Sequence, residues 1–305
     1  MKSNSLKKPV NSLPFSWYFE NKFFQKEIDK IFNTEWIYVC HINSINNNNY
    51  RTLSINNKNI VVIKNKSQDI SVFYNTCSHR GSQIFDQTEG KIKAPVIICP
   101  YHQWSYNIND GSLINTTSIN LDKFDKTKYG LEKVNFHIWK GLIFINIKSK
   151  KKFNHQSIFQ YYDKTIEQVD LENYAVGHVW KKNVQCNWKI YWENFSECLH
   201  CPNIHPELSD LVPLFKRRLT DIKDHPEWNI LKLNNPNPQY QGGLKEGSQT
   251  WSYDGSAQGH TIESIHKEME SRGQIYISTW PSMFLGIYGD HIRIVRLIPK
   301  GPEAV

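Results

Sequence analysis

The chain has 305 residues, 39% of them apolar and 13% aromatic, enough for one large domain or two ordinary ones with real cores. Mean hydropathy is −0.57, no run approaches the ~18 apolar residues of a membrane span, and the basic N-terminus lacks the apolar stretch of a secretory signal; a cytoplasmic protein that does not enter a membrane is expected. The net charge of +8 is scattered, with KSKKK (148–152) the one dense run, which argues against nucleic acid and suits a basic face docking an acidic partner.

In chain order, the spacing of Phe24, Ile28, Ile31 and Phe32 predicts an amphipathic helix over 20–34. Period-2 alternation predicts strands over 51–55, 60–64 and 70–74, with turns at 56–58 and 65–69. A second strand-rich stretch closes at 139–147, and the polar run 148–157 marks a domain boundary. A helix over 158–171, a strand over 175–184 and a helix over 188–200 follow. The segment 221–260, rich in Asn, Pro, Gly and Gln, reads as a long loop over a site. Segments 283–288 and 291–298 flank Gly289-Asp290, a hairpin signal.

Six cysteines in a chain without a signal read as thiols or metal ligands rather than a disulfide framework. Two of them fall in NTCSHRGSQIF (75–85) and CPYHQWSYNINDGSL (99–113). Each of these loops offers one thiolate and one imidazole: Cys77 with His79, and Cys99 with His102. A zinc finger usually pairs like with like along the chain. A Rieske [2Fe–2S] centre instead needs two thiolates on one iron and two imidazoles on the other. Gly81 and Pro100 shape the loops, and Ser82 and Tyr101 are candidate donors to the sulfurs.

The second constellation is CNWKIYWENFSECLHCPNIHPEL (186–208). Helical spacing puts Asn194, Glu197 and His200 on one face, and Pro202 disfavours the helix at Cys201, so a turn can swing His205 back toward His200. Two imidazoles and one carboxylate make the facial triad of a mononuclear non-haem Fe(II) oxygenase. Cys198 and Cys201 lack the βαβ context of a redox pair and read as packing beside the site.

Together the two segments resemble the α subunits of the Rieske non-haem iron oxygenases, over roughly residues 15–299. The resemblance implies an α+β fold: an all-β Rieske domain at 37–148 and a catalytic iron domain of antiparallel sheet and helices (helix-grip type) at 149–305, incomplete at its C-terminus, with a helical segment 1–36 packed on it. It implies Cys77, His79, Cys99 and His102 as cluster ligands and His200 and His205 as Fe(II) ligands. Glu197, with Asn194 nearby, becomes the bridge from His200 to a Rieske histidine of a neighbouring subunit, in a homotrimer or hexamer. The family's third iron ligand, a late aspartate, has no counterpart before Val305, so a truncated chain is expected.

Ring-dihydroxylating members usually carry aspartate as the bridge. The glutamate in N-x-x-E-C-x-H-C-P is similar to the branch acting on small quaternary ammonium compounds such as glycine betaine, choline and carnitine. A desolvated trimethylammonium gains about 2 kcal/mol from a good aromatic contact; Trp192, Phe195, Trp251, Tyr253, Trp280 and Phe284 are the candidates. The implied reaction is hydroxylation of an N-methyl carbon and loss of formaldehyde. No G-x-G-x-x-G occurs, so NAD(P)H electrons would arrive through a separate flavin/iron–sulfur reductase. Two other readings stand beside it: an aromatic-ring dioxygenase α subunit, and an electron carrier that keeps only the Rieske centre.

Overall fold

The computed structural model describes residues 11–117, 124–148, 152–218, 243–265 and 273–305. The chain divides into two compact units, one of Glu27–Phe153 with Asp170–Lys181, the other of Met1–Lys26, Asn154–Val169 and Lys182–Val305.

The first unit is built on β1 (Ile37–His41), β2 (Asn49–Ile55), β3 (Lys58–Lys64), β4 (Ile70–Tyr74), β5 (Glu89–Lys91), β6 (Val96–Ile98), β7 (Ser105–Asn107), β8 (Leu113–Asn115), β9 (Asn135–Trp139) and β10 (Leu142–Asn146). They form antiparallel sheets in the orders β4-β3-β2-β5, β6-β7-β8 and β1-β10-β9. Two-residue hairpins need left-handed backbone at their centre. Asn56 and Asn57, at φ 50° and 62°, supply it between β2 and β3; Lys140 and Gly141, at 46° and 80°, supply it between β9 and β10. Central strands β3 and β10 bury Ile60, Val61, Val62, Ile63, Leu142, Ile143, Phe144 and Ile145 almost completely. Each such side chain contributes roughly 1.5–3 kcal/mol of burial.

The second unit holds α1 (Ser16–Phe19), α2 (Asn21–Glu27, ending at the boundary), α3 (His155–Ile158), α4 (Gln160–Thr165), α5 (Trp188–Ser196), α6 (Cys201–Ile204), α7 (Pro206–Leu211) and α8 (Pro213–Lys216). Its sheet is an antiparallel meander of β11 (Ile275–Thr279), β12 (Met283–Ile287) and β13 (Ile292–Arg296), with Gly289-Asp290 in the expected hairpin. Helix α5 lies on the meander through Trp192 and Phe195, whose rings are 4.3 and 4.6 Å from that of Phe284. The Asn187 side chain caps α5 at Lys189 N–H while donating to Tyr18 O and Pro302 O, which ties residues near the N-terminus to the helix start. Among the described residues no helix is long and apolar enough to cross a membrane.

Four expected elements come out differently. The helix expected over 20–34 is α2 followed by a π-helical turn at Ile28–Phe32, with the separate α1 just before it. The wider turn rotates the face, so Phe24 and Phe32 are buried and Ile28 and Ile31 only half so. The helix over 158–171 stops at Thr165, and residues 175–184 form no strand. The helix over 188–200 ends at Ser196, whose hydroxyl donates back to Trp192 O at 2.7 Å. Such side-chain bonds compete with the helix ladder. Residues 219–242, most of the expected long loop, lie outside the described residues, as do 149–151 of the basic run; 243–260 contain no helix or strand.

Candidate metal centres

The loops after β4 and β6 are the same turn made twice. In the first, Cys77 N–H donates to Ser82 O at 2.8 Å and Gly81 N–H to Cys77 O at 3.0 Å. In the second, Cys99 N–H donates to Trp104 O at 2.9 Å and Gln103 N–H to Cys99 O at 3.0 Å. The fifth residue of each is left-handed, Gly81 at φ 72° and Gln103 at 58°. Both free thiols lie at the base of these turns, 2% and 0% exposed, and the two imidazoles lie at the tips with ring centroids 4.6 Å apart. Trp104 stacks on His79 at 4.5 Å and 8°, and Tyr101 covers His102 at 3.8 Å.

Burial pushes the Cys77 thiol up, and the neighbouring Cys99 pushes it the same way, against hydrogen bonds from Tyr106 and the His79 backbone. Desolvation, then the positive charges of His102 and Arg80, hold His79 below the ordinary histidine range. That keeps the imidazole neutral, the state a metal binds. Its Nδ1 is buried without a hydrogen-bond partner among the described residues. Two thiols, two imidazoles and an orphaned ring nitrogen fit a [2Fe–2S] cluster.

Of the hydroxyls expected at the sulfurs, neither is there. Ser82 turns to Gln83 O, and Tyr101 is exposed against His102. The phenol at the site is Tyr106, 2.9 Å from Cys77 Sγ and 3.2 Å from Ser78 Oγ, while Ser78 itself donates to Tyr129 O at 2.6 Å. The signal was present in WSY: two-residue alternation along β7 turns Trp104 and Tyr106 inward together.

The second cluster differs more from expectation. Because α5 ends at Ser196, Asn194, Glu197 and His200 do not share a helix face. Asn194 is exposed on α5, and Glu197 is extended at φ −138°. One Glu197 oxygen is 2.6 Å from His200 Nδ1 and the other accepts Leu199 N–H. Pro202 sits in the first turn of α6 instead of ending a longer helix, and His205 occupies the kink between α6 and α7, its ring 5.5 Å from that of His200. The two imidazoles thus converge. Cys198 and Cys201 are corrected from free thiols to a disulfide, buried under Leu211, Val212 and Leu244. Arg218, which nothing in the sequence marked, donates to Leu199 O at 2.9 Å and holds the loop from the other side.

Among the described residues no three His, Cys, Asp or Glu side chains converge to hold one metal ion. A Rieske cluster asks for two per iron. At the second centre His200 and His205 fit two positions of a mononuclear iron, with Glu197 on the back of His200.

The aromatic candidates separate. Trp192, Trp280, Phe195 and Phe284 form one run, with Trp192 5.1 Å from Trp280 and 4.3 Å from Phe284. Trp251 packs elsewhere, on Phe215 and Tyr288, and Tyr253 is 88% exposed.

Residues 35–125 match the Rieske [2Fe-2S] domain model, and residues 171–305 match the catalytic domain of the ring hydroxylating alpha subunit. The chain is 26% identical to the glycine betaine monooxygenase oxygenase subunit of Chromohalobacter salexigens, over 96% of this chain and 69% of that protein. It is 31% identical to the carnitine monooxygenase oxygenase subunit of Escherichia coli, over 66% of this chain and 54% of that one. A crystal structure of the quaternary ammonium Rieske monooxygenase CntA superposes with a TM-score of 0.71 at 22% identity, over 96% of this chain and 73% of that one, which shows a common fold. With both domain models matched in order along one chain, two thiols and two imidazoles gathered in the first domain and two imidazoles in the second, the chain belongs to the Rieske-type ring-hydroxylating oxygenases, a family that works with a [2Fe–2S] cluster and a mononuclear iron.

Proposed function

We propose that the chain is the oxygenase component that hydroxylates an N-methyl carbon of a small quaternary ammonium compound such as glycine betaine. The observation that carries this is the pairing, in one chain, of the Cys77/His79–Cys99/His102 loops with a His200 gripped by Glu197 at 2.6 Å. The overall change takes one substrate, one O2, two electrons and two protons to a carbinolamine and water; the carbinolamine then loses formaldehyde to leave the demethylated amine. The cluster and the iron, when bound, supply electron delivery and dioxygen activation.

Cys77, Cys99, His79 and His102 would hold the cluster, and His200 and His205 two positions of the iron. By accepting from His200 Nδ1–H, Glu197 fixes the tautomer and turns Nε2 toward a metal. Its position at the exposed end of α5 also suits the bridge to a Rieske histidine of a neighbouring subunit. The run Trp280–Trp192–Phe284 would receive the ammonium group. We assign electron storage to the unit built on 37–148 and catalysis to the unit that holds most of 149–305; of the expected N-terminal segment 1–36 only the part up to Lys26 belongs to the latter, as the Lys189 ammonium on Trp17 O at 2.9 Å supports, while 27–36 and 170–181 belong to the former. A separate flavin/iron–sulfur reductase, a homotrimer or hexamer, and a cytoplasmic location complete the reading.

A second reading is favoured by the 25% identity to the 2-aminobenzenesulfonate 2,3-dioxygenase subunit alpha of Alcaligenes sp, which covers 76% of this chain. The full-length protein, given a reductase and NADH, should release formaldehyde with glycine betaine or carnitine. A cis-diol or catechol from an aromatic acid, with no formaldehyde from either amine, would overturn the proposal in favour of the second reading.

A further inference from the structure

The aromatic run accounts for a cation and leaves one charged neighbour unexplained. In the meander Tyr276, Gly286 and Arg293 stand side by side on β11, β12 and β13. They lie on the face that also carries Phe284, two residues from Gly286 along β12, where α5 packs. A Cβ at Gly286 would come within 2.5 Å of the Tyr288 hydroxyl, so the glycine leaves room for that phenol beside the arginine. The Arg293 guanidinium lies 5.7 Å from the centre of the Phe195 ring, on the last turn of α5. Its charge opposes the burial that raises the Tyr191, Tyr276 and Tyr288 phenols, so it faces all three.

Among the described residues no carboxylate pairs with Arg293. A second donor near the same phenol also lacks an acceptor: the buried indole N–H of Trp251, whose ring centroid is 4.9 Å from that of Tyr288. A guanidinium presents a planar fork of donors matched to a carboxylate. Here it stands against phenols and a ring, one strand away from the aromatic run. Phe284 and Gly286 are successive residues on one face of β12, about 7 Å apart, so a small ligand on the aromatic run lies within reach of a long arginine side chain on the next strand.

We propose that Arg293 determines specificity by binding the carboxylate of a zwitterionic quaternary amine whose ammonium group rests on the Trp192 and Trp280 rings. This rests on the quaternary-amine reading above and adds to it a demand for a carboxylate. A purely cationic amine of the same size gains nothing from the guanidinium, which is solvent-exposed, and meets a like charge.

The test compares glycine betaine with choline, which carries a hydroxymethyl group in place of the carboxylate. Binding to the full-length protein is read by quenching of tryptophan fluorescence, and turnover by formaldehyde release. Arg293→Gln should lower the ratio of glycine betaine to choline affinity by about 10- to 100-fold, and Arg293→Lys should restore part of it. An unchanged ratio in Arg293→Gln, with the near-ultraviolet circular dichroism of the parent, would overturn the proposal. So would an equal loss with both ligands that Arg293→Lys does not relieve. Failure of the parent to bind or turn over either amine would instead overturn the function proposed above, which keeps the two failures distinguishable.

Discussion

Tyr106 is the residue whose role the fold changes most. Burial raises its phenol well above the ordinary tyrosine range, and the adjacent Cys77 sulfur raises it further, so it remains a neutral donor. Ser78 directs its own proton to Tyr129 O, which leaves the Tyr106 hydroxyl free to point at Cys77 Sγ or Ser78 Oγ. A hydrogen bond to a cluster ligand stabilises the reduced, more negative state. Tyr106→Phe should therefore lower the reduction potential of the cluster, read by potentiometric titration of the visible spectrum. An unchanged potential would show that the hydroxyl serves Ser78 instead. The motif CPYHQWSY names the candidate ligands at once, because thiolates and imidazoles are recognised by chemistry. It does not identify the donor, because whether Tyr101 or Tyr106 reaches the sulfur depends on the strand that leaves the loop.

Elements separate by how local their causes are. Hairpins β2–β3, β9–β10 and β12–β13 follow from neighbouring residues with tolerant backbones; β2–β3 and β12–β13 stand where alternation and turn chemistry placed them, whereas β9–β10 turns at Lys140-Gly141 inside what alternation read as one stretch. Helix α5 does not, since its end is set by Ser196 and Glu197 binding local backbone groups in place of the ladder. His41, at the end of β1, is another device invisible to pattern. Its Nε2 reaches Leu171 O at 3.0 Å while Nδ1 accepts from Asn43 N–H at 3.1 Å, which requires the neutral ring. Burial lowers its pKa, Lys64 adds to this, and the Leu171 bond and Glu172 oppose it. The unfolded chain therefore binds the proton more tightly than the folded one. The stability His41 contributes is fully present above its unfolded pKa near 6.5 and is lost as pH falls through the lower folded value. The slope contributed by this one proton is at most about 1.4 kcal/mol per pH unit. His41→Gln keeps a donor for Leu171 O and should flatten the urea-midpoint profile as pH falls below about 6.5; an unaltered profile would place the pH response elsewhere.

At the scale of the whole molecule, metal stands in for core around the first centre. Cys77 and Cys99 belong to one apolar cluster with Phe73, Trp104, Tyr106 and Leu131, so removing the iron–sulfur cluster leaves two buried thiols, with the Tyr106 hydroxyl and the His79 backbone on Cys77, and a His79 nitrogen without a partner among the described residues. Binding to the native state alone adds stability by mass action. Cys77→Ser, which removes a thiolate the cluster needs and leaves the His200/His205 pair intact, should lower the melting midpoint of the unit that contains 27–153 by several degrees. It should do so without comparable change in the unit that contains α5 and the meander, as followed by hydrogen exchange on peptides from each. Equal loss of protection in both units would show that they unfold together.

The sequence alone determined the candidate residues of the two centres, most of the antiparallel strands, and the family. Those rest on residue identity, short spacing and backbone tolerance, which are local properties. Only the tertiary structure decided that Tyr106 is at the sulfur, that α5 stops at Ser196 and that Cys198 joins Cys201. It also decided that Trp251 leaves the aromatic run and that Arg293 faces it. Each of these depends on which distant segment packs against a residue and which polar atoms remain to be satisfied there, and no spacing along the chain encodes that.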